Sequence, residues 1–141
     1  MEIKTGVLLK DHTTMRIGGT ARFMAEVLTP SNVATICKNA KSQNLPIFII
    51  GGGSNLIAHD EGFNGIILHI GILGFEIISE DNNSTTIKIG AGENWDSVVK
   101  RSVDMSLTGI EAMSGIPGTT GAAPIQNIGA YGQEIANTLQ S

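Results

Sequence analysis

The chain has 141 residues and a formal net charge of −4, with 41% hydrophobic and 16% charged residues. This length suffices for one domain with a core but is short for two, and the negative charge argues against a nucleic-acid surface. Apolar runs fall short of the roughly 20 residues of a membrane span. Because residues 1–4 also lack a signal-peptide layout, we expect a cytoplasmic protein without membrane contact. The single cysteine, Cys37, excludes an internal disulfide and a cysteine metal cage.

The first half of the chain predicts a strand, a helix and two further strands. Residues 22–28 are typical of a short strand, and Thr29 and Pro30 have the residue types of an N-cap and a first helical position. The apolar stripe of this helix would bury Cys37 as a core thiol. The continuous apolar run Ile47–Ile50 is typical of a buried strand, and residues 65–70 are another strand candidate. The helical stripe consists of Val33, Ile36, Cys37 and Ala40.

The second half predicts a hairpin, a helix and a long loop. Residues 75–80 and 85–91 flank a polar turn at 81–84, and Asn94 is expected to cap the helix. The loop at 109–132 has little periodicity. Because strands and helices are mixed and do not alternate strictly, we predict the α+β class. The expected inner face of the second helix consists of Trp95, Val98, Val99, Ser102 and Val103.

Glycine, with 18 residues, is concentrated at 51–53 and within 109–132. The first cluster, called the glycine loop below, has the sequence Gly51-Gly52-Gly53-Ser54-Asn55. It is not a dinucleotide-binding turn, which needs a third glycine where Leu56 stands, and no Gly-Lys pair of a P-loop occurs. Consecutive glycines can still turn several N–H groups toward one point and hold a diphosphate. The alternative is a tight turn between strands with no ligand.

The second cluster is long for a connection in a compact domain, and such loops are usually functional or disordered. Apolar anchors spread along it favour order, and its small residues would allow close approach to a flat ligand whose ring edge Gln126 and Asn127 could contact. Tyr131 is the side chain most expected to touch a ligand; the alternative is a tyrosine that closes the core. The predicted anchors are Ile110, Met113, Ile116, Ile125, Ile128 and Tyr131.

Several motifs make the chain resemble the UDP-N-acetylenolpyruvoylglucosamine reductase (MurB) family. They are GGGSN at 51–55, AGENW at 91–95 and IPGTTGAAPIQNIGAYGQE at 116–134, in the order and spacing of the family. The segment TMRIGG at 14–19, followed by Ala21 and Arg22, is similar to the N-terminal signature of the family, although Thr13 stands where Asn is expected. The resemblance extends from about Thr13 to the end of the chain.

This resemblance implies an FAD-binding domain of the vanillyl-alcohol-oxidase type, with two α+β subdomains at 1–72 and 73–141, the second incomplete. FAD would be bound non-covalently, since no histidine lies in the second cluster. The glycine loop would hold the diphosphate, with Gly53 where it approaches, and the second cluster would line the isoalloxazine and ribityl region. The residues implied there are Ile116, Pro117, Gly118, Thr119, Gly121, Gln126, Asn127, Gly129, Ala130 and Tyr131.

The resemblance also implies an activity. NADPH would reduce FAD, and the flavin hydride would then reduce UDP-N-acetylglucosamine enolpyruvate to UDP-N-acetylmuramate for peptidoglycan synthesis. The arginine, general-acid serine, late glutamate and substrate-binding domain of the family have no match here. We therefore expect no turnover by this chain alone and UDP-sugar binding only in a full-length protein. Two alternatives remain: a non-catalytic module that binds another phosphate ligand or a partner, and a flavin oxidase of the same fold.

The remaining polar candidates are assigned no chemistry. His59 and His69 lack an acidic partner at metal-ligand spacing and are predicted to be solvated or packed. Trp95 is predicted to lie in the core. Two arginines would steady phosphate or an acidic loop, and two glutamates beside the second cluster would accept a ribose or flavin hydrogen bond or lie exposed. These four residues are Arg16, Arg22, Glu111 and Glu134.

Overall fold

Strands and helices are mixed along the chain, which confirms the α+β class. The computed structural model describes residues 2–140 and divides into two compact units, Met1–Ile72 and Leu73–Ser141. Two buried apolar clusters lie within the first unit and one lies within the second. That each unit serves as one FAD-binding subdomain stays a prediction.

The first unit is built on a four-stranded sheet with the order β1-β2-β4-β3. β1 runs antiparallel to β2, whereas β2, β4 and β3 are mutually parallel. β1 was not predicted from the sequence, and its Gly6, with a φ of +65°, weakens the strand pattern there. The strands are β1 (Ile3–Leu8), β2 (Thr20–Val27), β3 (Ile47–Ile50) and β4 (Phe63–Ile70).

The helix α1 (Pro30–Ser42) begins where predicted, because the Oγ1 of Thr29 accepts a hydrogen bond from the N–H of Asn32 at 3.3 Å. It packs on one face of the sheet. Cys37 contacts this cluster but is only half-buried, so the thiol is less enclosed than predicted. The buried residues on this face are Ala25, Val27, Ile36, Ala40, Ile66 and Leu68.

The apolar strand β3 lies at the edge of the sheet, so the prediction that it is fully buried is wrong. Ile50 is buried, but Phe48 is 41% and Ile49 59% exposed. A buried parallel strand needs neighbours on both sides, and the order of the strands depends on long-range pairing that a local apolar run does not specify. Ile50 belongs to the cluster on the sheet face opposite α1, with Leu9, Ala21, Met24, Ala58 and Ile67.

The second unit begins with the predicted hairpin, formed by β5 (Phe75–Glu80) and β6 (Thr85–Ile89). The Oδ1 of Asp81 closes its turn by accepting the N–H groups of Asn83 and Ser84 at 2.7 and 2.8 Å. The helix α2 (Trp95–Asp104) follows, and the Oδ1 of Asn94 accepts the N–H of Ser97 at 2.9 Å. The predicted caps of both helices are therefore confirmed.

Trp95 is the centre of the apolar cluster of the second unit. Its ring is 2% exposed, and its Nε1 donates to the carbonyl of Met113 at 3.0 Å. The prediction that Val103 shares this inner face is wrong, because Val103 is 49% exposed on the last turn of α2. The cluster consists of Trp95, Val99, Met113, Ala123, Ile128 and Ile135.

The predicted loop at 109–132 contains short ordered elements. Short 3-10 turns occur at Glu111–Met113 and Pro124–Gln126, and β7 (Gly129–Ala130) forms a small hairpin with β8 (Gln133–Glu134), which lies just beyond the loop. Four of the six predicted anchors are buried or half-buried in this unit. The other two predictions are wrong, because Ile125 is 85% and Tyr131 96% exposed.

Candidate functional site

The glycine loop lies at the carboxyl end of parallel strands. It follows β3 directly, and His69 lies near the end of the neighbouring strand β4. Ligands of open sheets with parallel strands bind beyond these carboxyl ends. A cavity of about 290 Å³ opens at this position. Its lining residues are Asp11, His12, Thr13, Thr14, Gly51, Gly52 and His69.

Gly53 packs against protein backbone and not against the cavity. Its φ is +66°, and a Cβ at this residue would lie 2.0 Å from the carbonyl oxygen of His12. The N–H of Thr14 also donates to the Gly53 carbonyl at 3.0 Å. A side chain at this position would therefore meet the carbonyl of His12. It would not meet a diphosphate, contrary to the expectation. Glycine is needed here so that the glycine loop can close on the segment after β1.

Gly51 and Gly52 do line the cavity. No hydrogen bond in the described turns and loops uses the N–H of either residue, so both groups can be directed toward an anion. Ser54 and Asn55, which complete the glycine loop, each have an interaction partner. The position of His12 in the cavity wall was not predicted, and its place two residues before the signature segment at 14–19 was the available signal.

The second glycine cluster packs closely on the AGENW segment. The N–H of Trp95 donates to the Gly118 carbonyl at 3.1 Å, and the N–H of Gly121 donates to the Ala91 carbonyl at 2.9 Å. A Cβ at Gly121 would lie 2.6 Å from the Cβ of Ala91. Small residues here allow two backbone segments of one unit to meet, so the amide of Gly121 does not face a ligand as expected. That this segment lines a cofactor stays a prediction.

Asn127 is a third correction, after Gly53 and Gly121, because its side chain is occupied within the unit. Its Nδ2 donates to the Oε2 of Glu134 at 2.8 Å, and its Oδ1 accepts the N–H of Ala136 at 3.1 Å. Its φ of +47° is left-handed, which asparagine tolerates better than most residues. The structure therefore does not support the predicted contact between this amide and a ring edge.

Tyr131 lies at the tip of the hairpin formed by β7 and β8. Tyr131 and Gly132 have φ values of +52° and +86°, which is the pattern of a type I′ turn. The ring is 96% exposed, so the alternative in which it closes the core is wrong. A bulky residue at positive φ is an outlier, and such strain is concentrated at ligand sites. Exposure and strain together favour a role in binding.

The other charged candidates make contacts within their own unit. Arg22 donates from Nη1 to the Oδ1 of Asn64 at 3.3 Å. Hydrogen bonds from its own N–H and from the N–H of Gly109 lower the pKa of the exposed Glu111 carboxyl, and Glu134 accepts the amide of Asn127. His59 is exposed, as predicted.

The size and the donors of the cavity are compatible with the diphosphate part of a dinucleotide, whose placement here stays a prediction. Cavities that enclose whole drug-sized ligands span roughly 300–1,000 Å³, so a volume of about 290 Å³ suits one portion of FAD. Exposed glycine backbone supplies donors, and the imidazoles of His12 and His69 add polar side chains. These donor types are those that phosphate oxygens require.

Comparisons with known proteins agree with these features. The model of the family described as "FAD binding domain" matches residues 21–141. A UDP-N-acetylenolpyruvoylglucosamine reductase from Streptomyces coelicolor is 43% identical over 90% of this chain and 32% of its own length. Another from Amoebophilus asiaticus is 39% identical over 100% of this chain and 41% of its own length.

A solved structure gives the same result. The UDP-N-acetylenolpyruvylglucosamine reductase (MurB) from Thermus caldophilus aligns with a TM-score of 0.73 and 29% identity, over 96% of this chain and 46% of that chain. The chain spans between 32% and 41% of the length of the two relatives described above. Within residues 2–140, no helix combines the length and apolar character needed to cross a membrane. Because the family model matches residues 21–141, the chain belongs to the FAD binding domain family. Its predicted resemblance to the UDP-N-acetylenolpyruvoylglucosamine reductases is confirmed.

Proposed function

We propose that this chain binds FAD non-covalently, with the diphosphate in the cavity beside Gly51 and Gly52. The observation that carries this proposal is the position of that cavity, at the carboxyl end of parallel strands with glycine backbone in its wall. Membership of the FAD binding domain family supports it. Bound FAD supplies a hydride acceptor and donor, while the residues of this chain bind and orient it.

The second cluster contributes the remaining contacts in this proposal. Tyr131 is its strongest candidate, because the exposed ring is held away from the core by a strained turn. Most other candidates offer backbone or small side chains. The proposed cofactor contacts are Gly51, Gly52, Ser54, Asn55, Ile116, Pro117, Gly118, Thr119, Gln126, Gly129, Ala130 and Tyr131.

The wider proposal is that the chain provides the FAD-binding portion of a cytoplasmic, NADPH-dependent reductase. That reductase converts UDP-N-acetylglucosamine enolpyruvate to UDP-N-acetylmuramate in peptidoglycan synthesis. The names of the relatives and the shared motifs support this assignment. The UDP-sugar would be bound by parts of the relatives that this chain does not cover.

Titration of the purified chain with FAD tests the binding proposal. We expect quenching of flavin fluorescence with a saturable isotherm, and much weaker binding of FMN, which lacks the diphosphate bridge. Gly52→Leu adds bulk at an exposed residue of the cavity wall and should reduce FAD affinity. Ala34→Leu adds comparable bulk on the exposed side of α1 and is the matched control. Equal affinities of the two variants would contradict the proposed location.

A chimera tests the wider proposal. The chain replaces the 127 matching residues of the Streptomyces coelicolor relative, and NADPH oxidation is measured with and without the enolpyruvyl UDP-sugar. Substrate-dependent oxidation is expected. A chimera that folds and binds FAD but shows no such oxidation would contradict the assignment. Acid precipitation should also release the flavin into the supernatant, as non-covalent binding requires.

A further inference from the structure

Two histidines from distant parts of the sequence lie in the wall of the same cavity. His12 ends the 3-10 turn Leu9–His12 after β1, and His69 is the second-last residue of β4. Their ring centroids are 6.2 Å apart, and the ring planes are tilted by 59°. Both rings are half-buried and line the cavity with Gly51 and Gly52. The fold therefore places two imidazoles beside the glycine loop.

The backbone fixes each histidine to this loop. The carbonyl of His12 occupies the space where a Cβ of Gly53 would stand, and the next residue but one, Thr14, donates to the Gly53 carbonyl. His69 is paired with Ile50 in the β3–β4 register, directly before Gly51. Neither imidazole is needed to hold these backbone contacts. The two rings are thus positioned by the fold and remain available for a ligand.

The chemistry of the cavity favours an anion. None of the described lining residues is a lysine or an arginine, so the imidazoles are the side chains there that can carry positive charge. A metal is disfavoured, because no group of three His, Cys, Asp or Glu side chains in residues 2–140 could hold one. Two acidic groups lie nearby: Asp11 in the wall, and Glu26, the neighbour of His69 in the β2–β4 register. Protonated imidazoles would offset their charge.

We propose that His12 and His69 donate hydrogen bonds to the phosphate oxygens of the dinucleotide, in the role that lysine or arginine has in other phosphate sites. This inference rests on the proposed FAD binding. Histidine changes its charge between about pH 8 and pH 5. Diphosphate affinity should therefore rise as the pH falls through this range, because charged donors bind phosphate more strongly than neutral ones. A purely structural role of the two rings gives no such pH profile.

The experiment measures the Kd of the chain for FAD, and competition by inorganic pyrophosphate, at about pH 6 and about pH 8. His12→Asn and His69→Asn should each weaken FAD and pyrophosphate roughly tenfold at the lower pH, which is the effect of one charge-assisted hydrogen bond. The double variant should lose the pH dependence. His59→Asn, at an exposed histidine outside the cavity wall, is the matched control and should change neither. Circular dichroism verifies that all variants are folded.

Each outcome separates this inference from the proposed function. If FAD binds and the folded histidine variants keep both the affinity and its pH dependence, the role of the histidines is wrong and FAD binding stands. If neither FAD nor pyrophosphate binds the unchanged chain, the proposed function fails as well. If Zn²⁺ binds in a manner that requires both histidines while pyrophosphate does not compete with FAD, the cavity is a metal site and the inference is overturned.

Discussion

Gly6 and Gly53 have nearly the same backbone conformation in very different surroundings. Their φ values are +65° and +66°. A Cβ at Gly6 would have no atom within 4 Å, whereas a Cβ at Gly53 would lie 2.0 Å from the carbonyl oxygen of His12. The pair therefore separates the free-energy cost of a left-handed φ from the cost of a close backbone contact.

Gly6→Ala is expected to lower the free energy of unfolding by about 1 kcal/mol, through the positive φ alone. Gly53→Ala carries the same cost and also displaces the segment after β1, so its total should exceed about 3 kcal/mol. Urea denaturation followed by circular dichroism measures both values. Equal losses in the two variants would contradict the close contact between the glycine loop and His12.

Tyr131 is a residue at which stability and function are expected to diverge. Asparagine adopts positive φ in type I′ turns with less strain, so Tyr131→Asn should raise the free energy of unfolding by about 1 kcal/mol. If the ring contacts FAD, the same change should weaken FAD binding. Tyr131→Phe keeps both the ring and the strain and is the matched control. Thermal unfolding and FAD titration give the two readouts, and a destabilised Tyr131→Asn variant would contradict the predicted turn strain.

For single residues, the sequence indicates where glycine clusters but not what each glycine contacts. The role of Gly53 depends on the carbonyl of His12, and the amide of Asn127 is engaged by Glu134 and Ala136. The first of these partners is distant in sequence. Tyrosine rarely adopts a positive φ, so the residue type did not predict the turn conformation of Tyr131. The exposure of its ring, which follows from this turn, was not predicted either.

Among the helices and strands, features that depend on local chemistry were predicted well. The N-caps of α1 and α2 each depend on one side chain and an N–H three residues later, which the sequence displays directly. The position of β3 depends on the sheet order, and that order is decided by pairing with β4. An apolar run of four residues is compatible with an edge or a central strand, so its burial could not be predicted.

The first turn of α2 is tied to the segment after Met113 by Asp96. Its Oδ1 accepts the N–H of Gly115 at 2.7 Å and the hydroxyl of Ser114 at 2.8 Å. The Gly115 hydrogen bond, followed by that of Ser114, lowers the pKa of the Asp96 carboxyl from its ordinary 3.8. A lowered carboxyl pKa contributes stability that is fully present above the ordinary value and is lost as the pH falls through the lowered one.

Asp96→Asn should therefore lower the free energy of unfolding at neutral pH. The difference in this free energy between the variant and the unchanged chain should shrink as the pH falls below 3.8. Thermal unfolding across this acidic range provides the measurement. Asp104→Asn removes the exposed ion pair with Lys100 at the other end of α2 and is the matched control, with a smaller expected effect at neutral pH. A pH-independent difference for Asp96→Asn would contradict this role.

At the scale of the whole molecule, the chain consists of two units with separate apolar clusters. Each face of the sheet in the first unit carries an apolar cluster formed by residues of that unit, and Trp95 belongs to the cluster of the second. Residues 1–72 alone should therefore keep the sheet and α1 and unfold cooperatively. Circular dichroism and urea denaturation of this fragment test the prediction. A non-cooperative transition would show that the first unit needs the second for its stability.

The unpaired edge of β3, the last strand of its sheet, has a practical consequence. An edge strand with apolar side chains is a template on which another extended segment can add. Ile49, which is 59% exposed, projects from such a strand directly before the glycine loop. We therefore expect intermolecular strand pairing in concentrated solutions of the chain, and aggregation would compete with ligand uptake at the neighbouring cavity. Ile49→Lys would place a charge on this edge strand. It should keep the protein in solution without altering the cavity wall.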